Sequence, residues 1–160
     1  MSLPDPVRTE RLVLPLWTAA DVTAIRTGAR LPRWHPDFPR EDDRDAATLW
    51  QEHDPWGPRS VVRGATVLGS VGFFGPPEAA GDGVDEAEVG FGLVAEARGW
   101  GFATEALAGL LAHTDAAGVR VRARVDPGNR ASVRVLATSG FTELRGDDGE
   151  GQLVLARPLR

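Results

Sequence analysis

Between Arg98 and Thr104 the chain reads Arg-Gly-Trp-Gly-Phe-Ala-Thr, with an apolar, strand-like run leading into it and a helix-like run leaving it. Glycines at 99 and 101 and the small Ala103 let the backbone turn tightly. Successive N–H groups and the positive end of the following helix then face one point in space. A turn of this kind holds an anion, and a diphosphate fits it. Gly99 to Thr104 also mimics the G-x-G-x-x-G/A dinucleotide fingerprint, but its last position is Thr and too little chain follows for a second mononucleotide half. With no cysteine in the chain, no thiol nucleophile, cysteine zinc cluster or disulfide framework is available, so catalysis must use other groups.

A second constellation lies at Asn129 and Ser132, three residues apart at a helix start and projecting from one side of it. Asn129 is the only asparagine in the chain, and it also suits the helix N-cap, a role compatible with contact to a ligand. His35, Asp37 and His53 fall in a region rich in Pro, Trp and His. Each is either a contact for a cationic substrate or a plain surface residue.

The elements that must position these groups follow from periodicity and punctuation. Arg11 to Leu16 reads as a strand, and Thr18 with Asp21 opens a helix that runs until Gly28 and Pro32 interrupt it. Asp42 to His53 reads as a second helix ended by Pro55. Ser60–Arg63 and Thr66–Phe74 flank Gly64-Ala65 as a hairpin, and Glu86 to Val94 alternates as a strand. Phe102 to Ala117 is a helix with Ala103, Leu107, Leu110 and Leu111 on one face, stopped by Gly118. Val119 to Val125 is a strand, Arg130 to Ser139 a helix, and Phe141–Arg145 with Gln152–Leu159 a final hairpin. The order predicts an α/β (α+β) architecture: a mixed central sheet of about six to seven strands flanked by about four helices.

The 160 residues suit one domain over 1–160 with a real core. Hydrophobic residues at 42% and charged residues at 26% are ordinary globular values and set aside disordered and fibrous classes. A formal net charge of −5 argues against nucleic-acid binding, which a basic surface drives, and mildly favours cationic partners. All 18 Lys+Arg residues are arginine and there is no tyrosine. Met1 to Pro6 lacks the regions of a signal peptide, and no apolar run nears a membrane-spanning length, so a cytoplasmic protein is expected.

Arg98 to Ala103 is R-x-x-G-x-A, which resembles the acyl-CoA pyrophosphate loop of the GNAT superfamily of N-acetyltransferases. Thr9-Glu10-Arg11-Leu12-Val13-Leu14 at the start and Asn129-Arg130-Ala131-Ser132 leading to Gly140-Phe141 near the end lie where that resemblance needs them. Together the three segments are similar to the RimJ/RimL-type branch, whose members acetylate protein N-terminal amines or other primary amines. The likeness runs from about Thr9 to the C-terminus, weakly between Leu31 and Arg59.

The resemblance implies a GNAT fold with acetyl-CoA as co-substrate, no metal, and an amine acceptor that is a small molecule or a protein N-terminus. It puts the cofactor against Leu93, Val94, Arg98, Gly99, Trp100, Gly101, Phe102, Ala103, Thr104, Asn129 and Ser132. Arg98 would add charge to the backbone grip. Gly90 and Gly92 either let the pantetheine arm pair with the strand end or merely accommodate a bulky neighbour such as Phe73 or Trp100. Glu88 matches the acidic residue of the family's A-E-[IV]-G pattern and is the implied base, acting through water. Its other reading is a strand glutamate paired with an arginine or facing solvent. Many GNAT enzymes protonate the leaving thiolate with a tyrosine; lacking one, this chain offers Ser132, which in the family pattern approaches the CoA sulfur. A thiolate with a pKa of about 8.5 can also leave without strong help. An α-amine is nearer neutrality at pH 7 than a lysine by roughly 3 kcal/mol, so a weakly armed site suits α-amines. A non-catalytic acyl-CoA sensor or partner-binding module on the same fold is the alternative, and monomer or homodimer is left open.

Overall fold

The computed structural model describes residues 3–160. Two short strands come first, β1 (Val7–Arg8) and β2 (Val13–Leu14), paired antiparallel. The sequence predicts one longer strand over 11–16; Pro15 lacks a donor for a ladder and confines the regular pairing to two residues. Helix α1 (Ala19–Thr27) opens on the predicted capping box, with Asp21 N–H donating to Thr18 Oγ1 at 3.1 Å and Thr18 N–H to Asp21 Oδ2 at 2.8 Å. Gly28 closes it in a left-handed conformation. Helix α2 (Glu41–Thr48) is shorter than the 42–53 expected. Arg40 N–H donates to Asp43 Oδ2 across its first turn at 2.8 Å.

The hairpin about Gly64-Ala65 forms as β3 (Arg59–Arg63) and β4 (Thr66–Phe73). A two-residue strand, β5 (Glu78–Ala79), precedes β6 (Asp85–Leu93), and a 3-10 turn at Ala95–Ala97 leads to α3 (Phe102–Ala117). Strand β7 (Arg120–Val125), helix α4 (Arg130–Thr138) and the hairpin β8 (Glu143–Asp147) and β9 (Leu153–Arg157) complete the chain.

Among the described residues there are nine strands and four α-helices, and the strands form one mixed sheet. Its order is β1-β2-β3-β4-β6-β7-β9-β8, with β5 beside the start of β6. The excess over six to seven comes from the two-residue strands, too short to show a period of two in the sequence. Strands β6 and β7 are the parallel pair; the other pairings are antiparallel. Leu107 and Leu110 of α3 are fully buried in a core shared with Val89 and Leu93 of β6 and Val121 and Val125 of β7. No helix of the described residues is long and apolar enough to cross a membrane.

Candidate active site

A cleft arises where two parallel strands part. Residues 86–88 of β6 pair with 120–122 of β7, and the pairing stops there. Residues 89–93 of β6 keep only their antiparallel partner β4 on the other side. Two adjoining cavities occupy the gap, about 450 Å³ on the side of α2 and about 540 Å³ on the side of α3.

The α3 side is made mostly of backbone. Gly99 and Gly101 both have φ near +83°, the left-handed conformation that the turn requires and that glycine adopts without strain. Gly101 is the N-cap of α3, and no side chain caps the helix. The first helical bond closes from Glu105 N–H to Gly101 O at 3.0 Å. The amides of Phe102, Ala103 and Thr104 are therefore left for an external acceptor at the positive end of a 16-residue helix. The one acid of that first turn, Glu105, is drawn away. It accepts from Thr9 Oγ1, from Arg11 N–H at 2.8 Å and from Arg11 Nε at 2.6 Å. Burial alone would raise the Glu105 carboxyl, yet these hydrogen bonds and the Arg11 charge hold it below the usual range. Arg11 also stacks on the Phe102 ring, 4.6 Å from its centroid, and donates to Trp100 O at 3.1 Å. Two motifs nearly a hundred residues apart thus lock one loop.

The α2 side is made of side chains. The carboxylate of Asp43, fully buried, accepts from Arg40 Nη2 at 3.1 Å and from Ser70 Oγ of β4. The Arg40 guanidinium lies over Gly92, in the space that a Cβ there would fill, and the Phe74 ring lies over Gly90. The two glycines thus do accommodate bulky neighbours, though these are Arg40 and Phe74 rather than Phe73 or Trp100. Trp50 and Phe91 supply apolar wall, and Asp42, Asp45 and Asp54 supply acidic rim.

Glu88 lines the α2-side cavity and is ion-paired. Its Oε1 lies 3.2 Å from Arg122 Nε and its Oε2 2.9 Å from Arg124 Nε. It belongs to a chain of alternating charge across β6 and β7 in which Arg120 joins Asp82 at 2.7 Å and Glu86 at 2.6 Å, and Arg122 joins Glu86 at 2.7 Å. Burial would raise the Glu86 carboxyl, but hydrogen bonds from Arg120, Arg122 and Arg145 hold it low.

Leu93, Arg98, Gly99, Gly101, Phe102, Ala103, Thr104, Asn129 and Ser132 come together around the α3-side cavity. Val94 and Trp100 do not: Val94 is buried with its N–H on Leu68 O at 2.9 Å, and the Trp100 ring is 65% exposed outside the cavity. Arg98 Nε donates to Leu93 O at 3.1 Å, tying the loop back to β6. Asn129 Oδ1 accepts from Ser132 N–H at 3.1 Å, so it caps α4 and lines the cleft at once. His35, Asp37 and His53 line neither cavity. His35 Nε2 lies 2.8 Å from Glu96 while its Nδ1 accepts from Asp37 N–H, and His53 is 90% exposed. The segment they belong to contributes Arg40, Asp42 and Trp50 instead. Among the described residues no group of three or more His, Asp and Glu is placed to hold a metal ion.

A family model described as "Acetyltransferase (GNAT) domain" matches residues 11–142. No curated protein matches the chain. Among solved structures, an acetyltransferase from Agrobacterium tumefaciens is 24% identical, with 99% of this chain and 96% of that one covered at a TM-score of 0.66. RimJ from Mycobacterium smegmatis, solved in complex with CoA-disulfide, is 25% identical over 96% of this chain and 87% of its own, at a TM-score of 0.62. A RimL structure, a ribosomal L7/L12 alpha-N-protein acetyltransferase, has the same fold at 19% identity, with 98% and 99% covered and a TM-score of 0.67.

Proposed function

Because the chain belongs to the acetyltransferase (GNAT) family and is RimJ/RimL-like, we propose that it transfers an acetyl group from acetyl-CoA to a primary amine by direct attack in a ternary complex. The acceptor is a protein N-terminal α-amine or a small-molecule amine, and residues 1–160 act as one domain. The observation that carries this reading is the pair of cavities meeting where β6 and β7 part, one walled by the uncapped start of α3 and the other by α2.

The free amides from Phe102 to Thr104 grip the diphosphate, each hydrogen bond to a charged acceptor contributing about 1.5–3 kcal/mol. Arg98 adds charge. Leu93 and Asn129 flank the pantetheine arm, and Ser132 stands at the sulfur. The amine enters from the α2 side, where the acidic rim favours a cation until it loses its proton. Glu88 takes that proton through water, since both of its oxygens already hold an arginine. A site whose base is so engaged suits an α-amine, which is about 3 kcal/mol nearer neutrality than a lysine.

Calorimetry with acetyl-CoA, followed by thiol release over a panel of amines, tests the proposal. The expected result is binding at micromolar ligand and release that depends on the amine. Absence of binding at high micromolar ligand refutes it. The two arginines on Glu88 and the lack of tyrosine favour a second reading, an acyl-CoA-binding module without turnover. That reading predicts binding with no amine-dependent release.

A further inference from the structure

Arg40, Asp42, Phe91, Asn129 and Ser132 line both cavities and so mark their junction. Arg40 is the one cation of the five. Its side chain is 20% exposed, and its guanidinium is fixed along one edge by the buried Asp43. The rest of the fork has little to bind. Nη1 has the exposed Asp42 carboxylate at 3.9 Å, beyond hydrogen-bond reach, and Nε–H is buried with no acceptor. A guanidinium clamped on one side and partly exposed, with Asp42 beyond hydrogen-bond reach of Nη1, is equipped to meet a further negative charge. Gly92 is what gives it room at the end of β6.

We propose that Arg40 stabilises the CoA thiolate as it departs, in a chain that has no tyrosine to protonate it. The inference rests on the proposed function, which brings the sulfur to Ser132 at the same junction. In the reaction, the amine lone pair forms the C–N bond and the carbonyl π pair moves to oxygen. Collapse reforms C=O and breaks C–S, and the sulfur leaves with the bonding pair. The ammonium proton has already passed through water to Glu88; the surplus proton of the attacking amine travels through water and the Ser132 hydroxyl to the sulfur, and the thiolate stays paired with Arg40 until it arrives. The other charges about the two cavities are Asp42, Asp45 and the buried Asp43 on α2, Asp54 after it, Glu88 and Arg124 on the parting strands, Asp126 before α4, and Arg98 and Arg134 at the cofactor end. The aspartates offset part of the Arg40 charge, so the expected effect on the thiol is about one pKa unit, the low end for an adjacent opposite charge.

The test is an ultraviolet titration of the thiolate of CoA bound to the protein. Because the chain has no cysteine, every thiolate signal belongs to CoA. The thiol should ionise about one unit lower when bound than when free, the shift should vanish in Arg40→Gln, and it should persist in part in Arg40→Lys. In turnover, Arg40→Gln should lose about tenfold in kcat with the KM for acetyl-CoA little changed. CoA that binds the unmodified protein with the thiol pKa of free CoA overturns the role of Arg40, whatever the variants do. So does a shift that survives in Arg40→Gln. Failure of CoA to bind at all overturns the proposed function, and this inference with it.

Discussion

The two walls of the cleft are built from different materials. On the α3 side, the features offered to a ligand are amides and left-handed glycines within a few consecutive residues, 99 to 104. On the α2 side they are charged side chains placed by contacts over long separations: Arg40 is held by the buried Asp43, which meets Ser70, and Glu88 is held by Arg122 and Arg124. A backbone site is written in local spacing, because turn geometry dictates which positions must be small. A side-chain site is written in strand register and loop path, which no short motif encodes.

The contrast can be broken most directly at Gly101. A valine there must hold a φ near +83°, which β-branched residues resist. Combined with Arg98→Ala, it should weaken acetyl-CoA binding by about a hundredfold or more in calorimetry, as expected for losing two charge-assisted hydrogen bonds. Unchanged affinity would mean that this wall is not the grip. Outside the cleft, Arg59 of β3 is fully buried and donates to the carbonyls of Pro4, Leu14 and Pro55 at 2.7, 3.1 and 2.9 Å. Burial pushes its guanidinium below the ordinary value while Asp5 works against that shift. Arg59→Met should cost about 3 kcal/mol in denaturant unfolding by stranding those carbonyls; a loss under about 1 kcal/mol would show that water replaces the guanidinium.

A finer probe is Glu105→Gln, which keeps the shape but loses the charge that holds Thr9 and Arg11. A destabilisation of about 1–2 kcal/mol and roughly tenfold weaker CoA binding are expected, since hydrogen bonds to a charged group are involved. Stability lost without affinity would uncouple latch from loop. Smallest is the response to acid. Glu86 and Glu105 are held below their usual range, and Asp82 at about 2, chiefly by its hydrogen bond from Arg120. A carboxyl depressed in the folded state stabilises fully above its unfolded value and loses that contribution as pH falls through the folded one. Stability from these groups should be level from pH 7 to about 5 and decline below about 4. Stability that stays level below about pH 4 would show that they titrate as they do in the unfolded chain.

Much of the frame was legible. The capping pair Thr18 and Asp21, the Gly64-Ala65 hairpin and the apolar face of α3 each follow a local rule, and the elements lie within a few residues of where those rules put them. The glycine loop was legible for the same reason. Arg40 was not: in sequence it is one of many arginines, next to a run of acids that reads as a solvated helix start. Glu86 and Glu88 alternate with a period of two, as do Arg120, Arg122 and Arg124. Only the parallel register of β6 on β7 makes ion pairs of them. His35 and His53 are candidates by residue type alone, and the loops before and after α2 carry them away from the cleft.

The attachment of Glu105 to Thr9 and Arg11 has a practical side. Gly109 of α3, which a Cβ would push against Thr9, lets this amino-terminal stretch lie close along the helix. Trimming the protein past its eighth residue, or fusing a bulky tag at that point, would slacken a turn whose own residues are untouched. Preparations that differ only at their amino end should therefore be compared for nucleotide-thioester affinity before any mutant within the loop is judged.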